Sequence, residues 1–527
     1  MTNPFKDVLN SGVILVTGTN TTANHPIVAN YIHEAVTKRG AKLIVVDPRR
    51  IKLVDISTLW LQMRPGTNIA WANGLMHVII KEKLHNEAYI EERTEGFEAL
   101  KACVEKYTPK YVSNITGIPQ KDIVAAARLF ATSGPGSIFY AMGITQHRTG
   151  TNNVKALANL SMLCGYVGVS GGGVNPLRGQ NNVQGACDMG ALPNVYTGYQ
   201  VVTAEEIRQK FAKAWNVAQL PDKVGMTVTE MGNEAGHAIK ALYIMGENPL
   251  LSDPDLHHVE KGLASLEFLV VQDIFLTETA KLAHVVLPTA CFAEKEGTFT
   301  NTERKVLRVR KALEPPGEAM EDSRIIAAIA KRMGYSMEYA DASEIMREIN
   351  AVTPSYGGIT YERLEKGGLV WPCPTTDHPG TPILHVGRFT RGKGAFMPVE
   401  YEAPAEPTDK EYPFVLTTGR VHWHYHTGTM TRKGTALTRL YPEALAEINA
   451  EDAKKLKIAD GDYIEISSRR GSIKVKALVS NVTARGVVFV PFHFYEAAVN
   501  KLTLNVLDPI SKIPEYKVCA VKVQKAA

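Results

Sequence analysis

The sequence predicts a multidomain α/β protein in which two units built on short parallel strands precede a β-rich C-terminal segment. Three observations predict it. Apolar runs of about five residues recur, each ending in a turn bearing Gly, Asn or Asp, as buried parallel strands do. Helical spacing separates those runs, so strand and helix alternate. Beyond a Pro- and Glu-rich stretch at 399–410 the pattern changes to short strands with tight turns. At 527 residues the chain exceeds what one core supports.

Gly12 to Thr17 reads as the first buried strand, and Gly18 and Asn20 turn the chain. Pro26 suits the first position of a helix whose apolar residues Ile27, Tyr31, Ala35 and Val36 lead to Gly40. A second strand, Ala41 to Val46, ends in Asp47, Pro48, Arg49 and Arg50 and completes a βαβ unit. Ligands of such sheets bind at the carboxyl ends of strands, which places the Gly18 turn and Asp47 in one crevice. An acid there suits a ribose hydroxyl, and a helix N-terminus suits a phosphate. The turn is not Gly-x-Gly-x-x-Gly, so the nicotinamide fingerprint is absent, and locally Gly18 can be site or scaffold. Helical patterns fill roughly 70 to 135, and a strand at Ser137 to Tyr140 delivers Met142, Gly143, Gln146 and His147 to another strand end. A lone histidine is most often structural, and His147 is read so.

A second α/β unit repeats the logic. The strand Ala241 to Met245 ends in Gly246, Glu247, Asn248 and Pro249, and Phe268 to Val271 ends in Gln272 and Asp273, with Thr277 opening the next segment. A third strand spans His284 to Pro288. Glu294, Glu296 and Arg304 read as a solvated or salt-bridged loop. In the C-terminal segment, Phe414 to Thr417, Tyr463 to Ser467, Ile473 to Ala477 and Val487 to Val490 read as strands, with a hairpin turn at 468–472 and a helix from Pro442 to Leu456. His422, His424 and His426 alternate, as on one strand face. No cysteine or acid stands at suitable spacing beside them, so no metal ligand is assigned.

Composition excludes several classes. Hydrophobic content of 45%, charged content of 21% and a mean hydropathy of −0.11 are those of an ordinary water-soluble protein. No apolar run approaches the roughly 20 residues that span a bilayer, and Met1 to Asp7 show no signal peptide. A net charge of +5 suits pyrophosphate-bearing ligands and is too dispersed for DNA. The six cysteines form no Cys-x-x-Cys pair, which excludes a zinc ribbon or an iron–sulfur run within this sequence and fits a reducing, cytoplasmic compartment.

The most informative segment is Val174 to Gly190. Gln180, Asn181, Asn182 and Gln184 cluster with Gly179, Gly185 and Gly190 around one cation, Arg178, and one anion, Asp188. Such a stretch is a poor helix and a poor strand. It can line a polar cavity with neutral donors and acceptors around a guanidinium, a planar fork that grips a carboxylate with two parallel hydrogen bonds.

This segment resembles the signature of the molybdenum- or tungsten-dependent formate dehydrogenases, catalytic-subunit type, within the molybdopterin-guanine-dinucleotide oxidoreductases (the DMSO reductase family). The resemblance continues at Ala191 to Asn194, Gly198 to Gln200, Ile244 to Pro249, Val270 to Phe275, Glu294 to Phe299 and Leu507 to Lys512, in order along almost the whole chain. It implies the molybdopterin oxidoreductase fold: a Rossmann-like domain at 1–178, a second α/β domain with interrupting segments at 179–398, a linker at 399–410 and a dinucleotide-binding six-stranded β-barrel at 411–527.

It further implies oxidation of formate to carbon dioxide, or the reverse, at molybdenum or tungsten held by two molybdopterin guanine dinucleotides. Arg178 would clamp formate and aim its C–H bond at the metal's sulfur or selenium ligand. The resemblance gives the cofactor Gly18, Asn20, Asp47, Arg49, Gly66, Asn68, Met142, Gly143, Gln146, Gly179, Gln180, Gly246, Glu247, Asn248, Gln272, Asp273, Thr277, Thr418, Arg420, His424, His426, Asn500, Tyr516 and Lys517. Ala23 departs from the acidic residue of many relatives. The family's [4Fe–4S] domain and its selenocysteine or cysteine metal ligand precede the point matching Met1, and an upstream frame ending in an in-frame UGA codon is expected to encode them. Implied partners are formate or carbon dioxide and electron-transfer subunits with iron–sulfur clusters or flavin, without nucleic acid or membrane insertion. The alternatives are a catalytically incompetent fragment or accessory pterin-binding subunit, or another member of the class such as a nitrate or polysulfide reductase.

Overall fold

The computed structural model describes residues 1–526 and comprises two compact units, one of Met1–Gly179, Leu251–His257 and Ile383–Ala527, the other of Gln180–Leu250 and His258–Pro382. In this division the barrel shares a unit with the first α/β layer, and so do Gly179, Leu251–His257 and 383–398.

In the first unit, β1 (Val13–Thr17), β2 (Lys42–Val46), β3 (Leu59–Leu61), β4 (Gly136–Tyr140) and β5 (Val174–Pro176) form a parallel sheet in the order β3-β2-β1-β4-β5. Every residue of β1 and β4 is buried. The reason is the two-residue period of a strand: Val13 and Leu15 face one core, Ile14 and Val16 another. The second core receives α2 (Pro26–Arg39) through Val28, Ile32 and Ala35, and α1 (Thr21–Asn24) precedes it. The α2 helix ends as expected, with Lys38 and Arg39 in the last turn and Gly40 in the left-handed region at φ 78°. The first core receives α3 (Asn68–Lys81), buried from Asn68 through Ile80. After α4 (Met142–Thr145) the chain returns through α5 (Gly150–Leu163).

In the second unit, β6 (Ala241–Met245), β7 (Phe268–Asp273) and β8 (Val285–Pro288) form a parallel sheet in the order β8-β7-β6. Its β8 begins at Val285 rather than at His284, whose Nδ1 accepts from the Leu269 backbone N–H at 3.0 Å.

The C-terminal segment closes into a six-stranded barrel of β9 (Phe414–Gly419), β10 (Leu445–Asn449), β11 (Tyr463–Ser468), β12 (Gly471–Ser480), β13 (Val487–Pro491) and β14 (Cys519–Lys525), in the order β9-β13-β10-β12-β11-β14. Closure through β14 on β9 leaves no edge strand. Two expectations are corrected here. The helix covers only Ala450–Leu456, because Ala446 and Ile448 alternate into the barrel core, and Asn449 caps the helix by accepting from the Glu451 N–H at 3.0 Å. The three histidines do not share a strand face: 421–426 is a turn in which His426 takes φ 48°.

The Pro/Glu-rich 399–410 stretch is tied down. Asn73 Nδ2 donates to the Val399 carbonyl at 2.8 Å and Tyr107 Oη to Glu400 at 2.7 Å. Glu406 accepts from Arg470 at 2.8 Å and from the Ala520 N–H at 3.1 Å. Among the described residues no helix is long and apolar enough to cross a membrane.

Candidate functional site

Strand order reverses between β1 and β4, and ligands of open α/β sheets sit beyond the carboxyl ends of strands at that switch point. The two loops leaving these strands touch: the Gly143 N–H donates to the Gly18 carbonyl at 2.9 Å. Both must be glycine. A Cβ on Gly143 would lie 2.5 Å from the Gly18 Cα, and one on Gly18 2.7 Å from the Gly143 carbonyl carbon. Met142 and Gln146 bracket this contact at the two ends of α4, while Asn20 sits at the start of α1. His147 buttresses it through Nε2 on the Gly143 carbonyl at 2.9 Å, with Glu515 at 3.8 Å from Nδ1. Gly143→Ala is therefore expected to lower the unfolding free energy by about 1–3 kcal/mol through overpacking; a denaturant midpoint equal to wild type would contradict this.

Asn68 opens α3 at 3% exposure, and neither Nδ2 nor Oδ1 has a partner; Thr17 Oγ1, at the end of β1, is likewise buried and unpaired. An unsatisfied buried polar group costs about 1–3 kcal/mol, and a helix N-terminus carries partial positive charge. Both features fit a polar, anionic ligand.

Around them lies an excess of positive charge. The Lys517 ammonium donates to the Thr418 carbonyl at 2.7 Å; burial, with the charges of Arg420 and Arg49, pulls its pKa down to about 7. Burial lowers Arg420 as well, and among the described residues its guanidinium has no hydrogen bond or ion pair. Burial, then the Arg420 charge, lowers His25 and His426 to about 4. His493 falls to about 3, again mainly through burial. It is fixed as a neutral imidazole, with Nδ1 donating to the His426 carbonyl and Nε2 accepting from the Val421 N–H at 2.9 Å. The one acid of the group is Asp47, which burial raises to about 6 against the Arg49 backbone N–H at 2.9 Å and the charges of Arg49 and Lys517. The Arg420 guanidinium, which has no ion-pair partner among the described residues, and the Lys517 ammonium, faced only by Asp47, can receive phosphate oxygens.

Lys517 gives a pH prediction. Its unfolded pKa is 10.5 and its folded one about 7, so between those values the unfolded chain binds the extra proton and ligand-free stability rises with pH. Asp47 acts in another window: its folded pKa is raised from 3.8 to about 6, so its contribution is present below 3.8 and lost as pH rises through 6. An anion that recharges Lys517 takes up a proton on binding. Calorimetric titration with inorganic pyrophosphate at pH 8, in two buffers of different ionisation enthalpy, is expected to show this uptake and Lys517→Met to abolish it.

Arg178 follows β5, whose Pro176 is the register partner of Tyr140 on β4; the Leu177 N–H donates to the Tyr140 carbonyl at 2.7 Å. Burial pushes the Tyr140 phenol up to about 12, and the Arg178 charge opposes it, which places the guanidinium near that strand end. Gly179 lies against the Arg420 guanidinium.

Several side chains picked from sequence are already committed. Arg49 forms a bidentate pair with Glu447, its Nη2 2.7 Å from both oxygens, and lies over Phe489, 3.6 Å from the ring centroid. Gly66 makes room for Pro404 and Val518, and Thr418 Oγ1 donates to the Tyr516 carbonyl at 2.9 Å. His424 bonds the Tyr441 carbonyl at 2.8 Å and Thr431 at 3.2 Å. Asn500 Nδ2 and Tyr516 Oη both donate to the Ser252 carbonyl, at 3.1 and 2.9 Å. Sequence alone misses Thr17, His25 and His493. Only their convergence beside Arg420 marks the histidines, and no spacing signals it.

In the second unit, Gly246, Glu247 and Asn248 leave β6 beside Gln272 and Asp273 at the end of β7, joined by the Gly246 N–H on the Gln272 carbonyl at 2.9 Å. Burial raises both the Glu247 and the Asp273 carboxyls. Asn248 is spent internally, donating to Glu278 at 2.8 Å and accepting from Thr279 Oγ1 at 2.8 Å; Thr277 Oγ1 accepts from the Ala280 N–H at 3.2 Å. Gln272 is shared between Tyr243 and Asp322. Gln180 precedes the signature helix α6 (Val183–Asp188), whose N-cap Asn182 has φ 60° and accepts from the Thr300 N–H at 2.9 Å. A side chain on Gly185 would strike Asn182 Oδ1. Among the described residues, no three His, Cys, Asp or Glu side chains are arranged to hold a metal.

Residues 1–332 match the family model "Molybdopterin oxidoreductase", and residues 414–520 match "Molydopterin dinucleotide binding domain". The F420-dependent formate dehydrogenase subunit alpha of Methanocaldococcus jannaschii is 53% identical over 100% of this chain and 78% of its own length. Formate dehydrogenase H of Escherichia coli is 42% identical over 100% of this chain and 74% of its own. The acetylene hydratase from Pelobacter acetylenicus superposes with a TM-score of 0.79 over 99% of this chain and 79% of its own, at 23% identity, and so shares the fold. This chain belongs to the molybdopterin oxidoreductase family.

Proposed function

We propose that this chain binds molybdopterin guanine dinucleotide and, as the catalytic subunit of a formate dehydrogenase, converts formate to carbon dioxide, a proton and two electrons, or runs the reverse. The bound metal centre supplies the two-electron chemistry; everything else is the work of the polypeptide. The dinucleotide's phosphates would lie against Lys517 and the N-terminus of α3, with Asn68 and Thr17 Oγ1 taking the polar partners they lack. Gly18 and Gly143 would give its backbone-lined floor. The turns after β6 and β7 would hold a second dinucleotide in the other unit.

Arg178 would hold formate. A carboxylate with one hydrogen offers two oxygens and nothing else to recognise, and a guanidinium binds both at once. Fixing those oxygens orients the C–H bond, and positioning is the larger part of what a protein adds to such a reaction. The observation that carries this reading is the placement of Arg178 at the end of β5, two positions beyond the strand beside the switch point. Electron-transfer subunits would accept the electrons, and the activity would be cytoplasmic.

The decisive experiment is purification of the full-length protein with its electron-transfer subunits, followed by measurement of pterin content and of formate-dependent viologen reduction. Bound pterin with turnover on formate is expected. Bound pterin without formate turnover would instead identify a pterin-binding subunit of another function.

A further inference from the structure

The contact between Gly179 and Arg420 is unexplained by cofactor binding. A Cβ at 179 would lie 2.8 Å from both Nη1 and Nη2 of Arg420, and 3.1 Å from its Cζ. The guanidinium therefore lies against the backbone of the residue that follows Arg178. Gly179 does not lie at positive φ, so the backbone does not require glycine there, and the Arg420 guanidinium takes the space a side chain would fill. The group occupying that space is the far end of a flexible side chain. A methyl group would displace the guanidinium at small cost in stability.

Arg420 has no hydrogen-bond or ion-pair partner among the described residues to keep it in place. Its surroundings are His25, His426, His493 and Lys517, which all sense its charge. Burial holds the three histidines neutral, so of these neighbours only Lys517 repels it, and its guanidinium lies against the Gly179 backbone.

We propose that Arg420 is a positioning residue for Arg178: its unpaired guanidinium packs on the Gly179 backbone, fixes the Arg178 turn, and adds a second positive charge where a small carboxylate is held. This rests on the formate reading above, and the same anion receptor could instead serve a cofactor phosphate, so the experiment separates the two. Gly179→Ala, Arg420→Gln and the double variant are purified as holoenzyme. Melting temperature, pterin content, KM and kcat for formate are measured for each.

Gly179→Ala is expected to keep wild-type melting and pterin content, to raise KM about tenfold, which is about 1.4 kcal/mol of binding, and to change kcat less. In the Arg420→Gln background, where a shorter neutral group leaves room for the methyl, Gly179→Ala is expected to have no further effect on KM, because coupled residues are non-additive. A KM unchanged by Gly179→Ala, or a KM effect that persists undiminished without Arg420, would overturn the proposal. A loss of pterin with Gly179→Ala would overturn it in favour of a phosphate-holding role. A wild-type enzyme that does not turn over formate would overturn the functional reading itself, a different failure from any of these.

Discussion

Arg178→Ala is expected to lower kcat/KM for formate by about 30- to 3000-fold while pterin content stays at the wild-type level. The range derives from the roughly 2–5 kcal/mol lost when one partner of a hydrogen-bonded charge pair is removed, at 1.4 kcal/mol per factor of ten. Arg178→Lys keeps the charge and loses the fork, so it is expected to fall between alanine and wild type. The measurement is steady-state dye reduction beside fluorescence of the released, oxidised pterin. Wild-type turnover by the alanine variant would remove Arg178 from the substrate site. Coincident loss of pterin would move its role to the cofactor.

Asp188→Ala is expected to be the most destabilising single change in the signature helix, by about 3–5 kcal/mol, the range found when a buried charge partner is removed. The carboxylate is 1% exposed. Its Oδ1 accepts from Gln184 Nε2 and Tyr199 Oη, both at 2.8 Å, and its Oδ2 from Tyr356 Oη at 2.6 Å and Trp371 Nε1 at 2.7 Å. Four donors lose their acceptor at once, and a cavity is left among two tyrosines and a tryptophan. The charge also steadies Arg304, which burial lowers to about 10 against the opposing pull of Asp188 and Glu303. Asp188→Asn keeps the volume and one acceptor oxygen, so its loss should be smaller. Urea unfolding followed by tryptophan fluorescence checks both, and an alanine variant within about 1 kcal/mol of wild type would sink this account, since that is the contribution of an ordinary neutral hydrogen bond.

The parallel strands are legible in sequence because a strand covered on both faces is apolar along its length, as Val13 to Val16 and Leu269 to Val271 are. The glycines at 18 and 143 and the arginine at 178 are also legible, each standing at a strand end where such sheets bind ligands. The barrel is less so. Leu445–Asn449 runs directly into a helix, and its two inward residues, Ala446 and Ile448, are too few to outvote the helical pattern around them. Cys519–Lys525 alternates with polar residues close to the C-terminus and does not stand out as a strand.

Local sequence determined which segments are strands, where chain turns demand glycine, and that one guanidinium stands among neutral amides, since each depends on neighbours a few residues away. Only the tertiary structure decided what those groups face. It gave Arg49 to Glu447, 398 positions along the chain, set Arg420 against Gly179, and drew His25, His426 and His493 into one desolvated group. Burial and long-range pairing set the charge state of a side chain and its freedom to bind a ligand, and neither is written in spacing along the chain.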